Sequence, residues 1–100
     1  MFSGGDYREV ARWLENFATS HAKRENLRAE ALLDTEGPRE GKSYGLRVRL
    51  GERLSPEIEL DFTEVRDCRG GLAWCQTLAD RVRALVRETA GQMADFLRPA

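Results

Sequence analysis

Residues 44–63 hold two short runs in which apolar and polar side chains alternate without a slip. In Tyr44-Gly45-Leu46-Arg47-Val48-Arg49-Leu50, the residues Leu46, Val48 and Leu50 fall on one side and Arg47 and Arg49 on the other. In Glu57-Ile58-Glu59-Leu60-Asp61-Phe62-Thr63, the residues Ile58, Leu60 and Phe62 oppose Glu57, Glu59 and Asp61. A period of two is what an extended strand presents. Between the runs, Gly51-Glu52-Arg53-Leu54-Ser55-Pro56 is turn chemistry, so an antiparallel hairpin with one apolar and one charged face is expected. The apolar face has to be covered, and that sets the task of the other elements.

Ahead of the hairpin, Asp6 with Glu9 matches a capping box, and Gly4-Gly5 gives the chain room to enter a helix. Val10, Trp13, Leu14, Phe17 and Ala18 then recur at helical spacing. His21 lies on the same stripe, but Arg24, Glu25 and Arg28 land there too, so the helix is expected to fail just past His21, with Asn26 at its exit. From Leu27 the period changes to two: Leu27, Ala29, Ala31 and Leu33 against Arg28, Glu30 and Leu32. Alanine and leucine suit a helix by propensity, yet the pattern predicts a first strand here.

Asp34 to Ser43 reads as a polar loop, and Arg66-Asp67-Cys68-Arg69-Gly70-Gly71 as a connector. A long helix follows. Trp74, Leu78, Val82, Leu85, Val86, Met93, Phe96 and Leu97 share one arc, Gln76, Asp80, Arg83, Arg87 and Arg98 take the other, and Pro99 marks the stop. The expectation is a single α+β domain over residues 1–100. Its order is α-β-β-β-α, a three-stranded antiparallel meander with both helices packed on one face. Keeping the apolar residues together suggests a register in which Arg47 sits between Glu30 and Asp61, and Arg49 faces Glu59.

One hundred residues suffice for one core without disulfide staples. A net charge of −1 gives no bulk attraction to nucleic acid or anionic lipid, so only a local cluster could bind a polyanion. No apolar run reaches the length of a membrane span, and Met1-Phe2-Ser3-Gly4-Gly5-Asp6 lacks the layout of a signal peptide. With Cys68 and Cys75 expected to be reduced, the composition predicts a soluble cytoplasmic protein with no membrane partner.

The chain is poor in recognisable chemistry. Gly37-Pro38-Arg39-Glu40-Gly41-Lys42-Ser43 invites comparison with a phosphate loop, but three residues separate its glycines where the motif needs four. It also leads into a strand rather than a helix. Cys68 and Cys75 with the lone histidine, His21, fit no standard zinc spacing, so no metal and no cofactor is expected. His21 is the sole candidate for histidine catalysis. The sequence places no nucleophile beside it, its apolar stripe suggests partial burial, and a helix C-terminus there would favour its proton. No catalytic residue is assigned. Arg66, Arg69, Gly70 and Gly71, just before a helix start, together with Arg39 and Lys42 in the 37–43 loop, are the candidate anion-binding residues.

The order α-β-β-β-α, with Gly37-Pro38 in the first hairpin loop and Tyr44 opening the second strand, resembles the double-stranded-RNA-binding domain. The resemblance implies a phosphate-gripping surface on the last helix and the loop. However, Glu40 stands where that family carries a histidine, and Arg69-Gly70-Gly71-Leu72 stand in place of its lysine cluster. The likeness is therefore one of topology. The leading functional expectation is a non-enzymatic protein-interaction module, with a homodimer as one form, since a self-complementary sheet face or an edge strand could take a partner. RNA or another polyanion held through Arg66, Arg69, Arg39 and Lys42 is the alternative, and an enzyme built on His21 ranks last.

Overall fold

The computed structural model describes residues 5–97, with side chains through Gly91. The expectations placed on Met93, Phe96, Leu97, Arg98 and Pro99 lie outside the described side chains. The elements run α1 (Tyr7–Glu25), β1 (Ala29–Asp34), a short 3-10 turn (Gly37–Arg39), β2 (Ser43–Leu50), β3 (Arg53–Leu54), β4 (Ile58–Asp61), α2 (Phe62–Cys68) and α3 (Leu72–Leu97). The fold is α+β with an antiparallel sheet. No helix among the described residues is long and apolar enough to cross a membrane.

The change of rhythm after α1 is a change of structure. Asp6 caps α1 by accepting from the Glu9 N–H at 2.8 Å, and Asn26 closes it. Ala29–Asp34 is a strand despite its helix-forming composition, because Ala29 and Ala31 bury on the face under α1. Leu27 is a correction: it lies in the turn before the strand and is 84% exposed.

The core takes Val10, Leu14, Ala18 and Ala22 from α1 and Leu78, Val82, Leu85 and Val86 from α3. These close over Ala29, Ala31, Tyr44, Leu46, Val48, Leu50 and Leu60 of the sheet. Each fully buried large aliphatic residue contributes about 1.5 to 3 kcal/mol. Tyr44 adds a polar anchor, its hydroxyl donating to the Tyr7 carbonyl at 2.8 Å while its ring stacks on that of Tyr7 at 4.7 Å.

The third ribbon is broken. Pro56 has no N–H to give a ladder, and the strand divides into β3 and β4 around Ser55. Ser55 mends the gap: its N–H donates to the Val48 carbonyl and its hydroxyl accepts from the Val48 N–H, both at 2.8 Å. Beyond Asp61 the expected connector is a helix. Asp61-Phe62-Thr63-Glu64 spells a capping box, the Asp61 carboxylate accepts from the Glu64 N–H at 3.0 Å, and α2 follows.

The register also differs from the expectation. Arg49 lies opposite Glu30 and Arg47 opposite Leu32, while Gly45 pairs with Glu59 and Ser43 with Asp61. Both ladders have slid by an even number of residues, so every side chain keeps its face while changing its neighbour.

Candidate functional site

The sheet is left open on the face that carries the charges and along its two edges, the outer side of β1 and that of β3 and β4; the edge of β4 bears Glu57, Glu59 and Asp61, whereas the one interior charge of β1 is Glu30. The β1 edge is read from hydrogen-bond parity. In an antiparallel ladder, a residue's N–H and C=O point to the same side, and the side alternates along the strand. Both groups of Val48 engage Ser55, on the β3–β4 side of β2. The neighbouring Gly45, Arg47 and Arg49 therefore turn theirs toward β1, where they meet Asp34, Leu32 and Glu30. That leaves Ala29, Ala31 and Leu33 with their N–H and C=O groups directed away from β2. The Ala29 N–H, bonded to the Asn26 carbonyl at 2.9 Å, agrees with this parity. Among the described residues β1 has one strand neighbour, so this outer side is a free edge.

On the uncovered face the arginines are already matched within the chain. Arg49 is hydrogen-bonded to Glu30, and Arg47 reaches Glu57 at 2.8 Å. Arg39 joins Glu57 at 2.9 Å and Asp34 at 2.5 Å. Hydrogen bonds from Arg47 and Arg39 hold the Glu57 carboxyl below the usual glutamate range. The Glu36 N–H, with Arg39, does the same for Asp34, and the Arg49 hydrogen bond does it for Glu30. Gly45 makes room for the cluster, since a Cβ there would run into Arg39 Nη1 and stand 2.7 Å from the Glu57 carboxylate.

Beside this cluster lies an open cleft of about 470 Å³ lined by Asp34, Glu36, Pro38, Arg39, Lys42, Ser43, Glu59 and Asp61. The Ser43 hydroxyl donates to Glu59 at 2.6 Å. Carboxylates outnumber cations around the cleft, so its field disfavours an anion.

The six candidate anion-binding residues fall into two groups. Arg39 and Lys42 line the cleft, and Arg66 and Arg69 do not. Arg66 pairs with Asp67 at 2.9 Å and lies over the Phe62 ring, while Arg69 lies over Trp13. Gly70 and Gly71 form the turn into α3, where the Gly71 N–H donates to the Cys68 carbonyl and the Gly71 carbonyl accepts from the Cys75 N–H. The Cys75 thiol donates to the Arg69 carbonyl at 3.3 Å, and burial pushes its pKa up.

His21 rests against the Phe17 ring at 4.5 Å. Burial, then the charges of Arg24 and Arg83, lower its pKa, which reverses the proton-favouring effect expected from the helix end. Among the described residues no three His, Cys, Asp or Glu side chains are placed to hold a metal. Comparison with protein-family models, with curated proteins and with solved structures finds no match.

The feature that sequence reasoning placed least well is the free edge itself. Its signal is the run Ala29-Glu30-Ala31-Leu32-Leu33-Asp34, whose one interior charge is Glu30. That run was legible as a strand, but its position at the rim of the sheet depends on strand order.

Proposed function

We propose that this chain is a non-enzymatic protein-interaction module that takes a partner strand along the outer edge of β1. The observation that carries the reading is the outward direction of the Ala31 and Leu33 N–H groups on a six-residue strand with one neighbour. Edge strands of this kind template further pairing unless a bulge, a proline or inward-pointing charges block them. Within β1 no proline interrupts the strand, and its two charges, Glu30 and Asp34, are paired with Arg49 and Arg39 of the same chain. A cytoplasmic setting belongs to the same proposal and is supported by the free thiols of Cys68 and Cys75.

Polyanion binding through Arg66, Arg69, Arg39 and Lys42 has less support. Two carboxylates hold Arg39, and the cleft it shares with Lys42 is rimmed by Asp34, Glu36, Glu59 and Asp61. Catalysis by His21 has less still, because its ring is engaged with Phe17 and its imidazolium is opposed by two arginines.

Amide hydrogen exchange in dilute protein tests the edge reading. The expected pattern alternates, with fast exchange at Ala31 and Leu33 and slow exchange at Glu30, Leu32 and Asp34. Uniform protection along β1 at the lowest concentration would mean that the chain covers its own edge, and the reading would fall.

A further inference from the structure

We infer that the strand added to β1 is β1 of a second copy, antiparallel about a two-fold axis through Ala31. This rests on the edge-pairing reading and adds to it the identity and the register of the partner.

Three constraints select that register. Directly opposed residues in an antiparallel pair share a face, so an axis midway between two residues would set core-facing positions against open-face ones. The axis must therefore pass through a residue. Axes through Ala29 or Leu33 leave most of the six-residue strand unpaired, and charge separates the choices that remain. An axis through Leu32 places Glu30 opposite Asp34 of the second copy, twice, and an axis through Glu30 sets that residue against itself. Like charges directly opposed destabilise a pair.

An axis through Ala31 avoids both. It sets Glu30 opposite Leu32 and Ala29 opposite Leu33, and brings Arg28, in the turn that enters β1, toward Asp34 of the second copy at each end. The Arg28 guanidinium has no ion-pair partner among the described residues, and the Asp34 side chain is 52% exposed, so the new pair adds to existing contacts without breaking one.

Hydrogen bonding agrees with charge. In this register the Ala31 N–H of each copy meets the Ala31 carbonyl of the other, and each Leu33 N–H meets an Ala29 carbonyl. The one outward N–H left over is that of Ala29, which already donates to the Asn26 carbonyl. Every outward donor of β1 is thereby satisfied. The two sheets become one continuous sheet, with a copy of α1 packed on each β1.

Cysteine pairing reads the register directly. Glu30 and Leu32 of the second copy form a non-hydrogen-bonded pair, whose Cα atoms stand about 4.5 Å apart, within reach of a disulfide. Chains carrying Glu30→Cys are mixed with chains carrying Leu32→Cys and oxidised mildly, and intermolecular disulfides are mapped by peptide mass spectrometry. Wild-type protein is run in parallel to account for Cys68 and Cys75.

The expected result is a 30–32 cross-link in the mixture, none with Leu32→Cys alone, and loss of the cross-link when Ala31→Pro is added to both chains. A 32–32 or 30–30 disulfide would overturn the register. An absence of any cross-link at these positions would overturn self-pairing through β1, whether the protein is monomeric or dimeric through another surface. The amide-exchange pattern of the dilute chain then decides separately whether the edge reading survives.

Discussion

The Tyr7 hydroxyl donates to the carbonyl oxygen of Ser43 at 2.5 Å, joining the start of α1 to the start of β2. Parity turns the Ser43 carbonyl toward the β1 side, but β1 ends at Asp34, opposite Gly45, so the ladder supplies no donor. The carbonyls of Thr35 and Arg39 stand 3.3 and 3.2 Å from the same hydroxyl. One phenol therefore gathers the loop between β1 and β2. Burial raises its pKa, as it does more strongly for the fully buried Tyr44.

Removing that hydroxyl leaves the Ser43 carbonyl without its donor. Tyr7→Phe is expected to cost about 1 to 3 kcal/mol, the range for a buried polar group left unsatisfied. Tyr44→Phe is expected to cost less, about 0.5 to 1.5 kcal/mol, because the Tyr7 carbonyl it abandons also lies within the hydrogen-bonded ladder of α1. Urea unfolding of the two variants beside wild type checks the order.

Ser55 stands in for a strand residue where Pro56 interrupts the ribbon, so its hydroxyl is structural. Ser55→Ala strips the buried Val48 N–H of its acceptor and is expected to lower stability by about 1 to 3 kcal/mol. Thermal unfolding should register this as a fall of roughly 4 to 8 °C per kcal/mol for a domain of this size. An unchanged midpoint would show that the bond contributes nothing net.

Gly45 is open to a sharper test because its place under Arg39 and Glu57 predicts an electrostatic result. Gly45→Ala pushes these two flexible ends apart, and the Glu57 pKa should rise toward the ordinary glutamate value of 4.5. The sign for stability follows. A carboxylate with a depressed folded-state pKa contributes stability above its unfolded pKa and loses it as the pH falls through the folded value. Wild type should therefore weaken as the pH drops below about 4.5, and the variant should weaken less over the same window. Carbon-detected NMR titration of the Glu57 carboxyl, with unfolding midpoints across that range, measures both.

Much of the fold could be read from rhythm. The helix from Asp6 to Asn26, the strand around Ala29 to Leu33 and the strand at Tyr44 to Leu50 each rest on a period that burial alone can satisfy. Two things were hidden. The alternation of Ile58, Leu60 and Phe62 continues one step past the strand, so it masked the capping box at Asp61 and made a helix look like ribbon. Register was hidden too, because an even slip leaves the apolar pattern intact; in the register adopted, Gly45, Arg39 and Glu57 fit around one another. As for the candidate site, the arginines of the 37–43 loop and of the α2–α3 turn were visible as charges. Their partners Asp34, Glu57 and Asp67 were not assigned to them, since those pairings depend on tertiary contacts or on side-chain conformation.

Sedimentation equilibrium of the wild-type chain, from low micromolar to near-millimolar concentration, bears most directly on the claim that β1 pairs with its own copy. The weight-average mass should climb from 11.4 kDa toward twice that value, and the climb should vanish in Ala31→Pro while the variant still unfolds cooperatively. A mass fixed at 11.4 kDa across the whole range would contradict it.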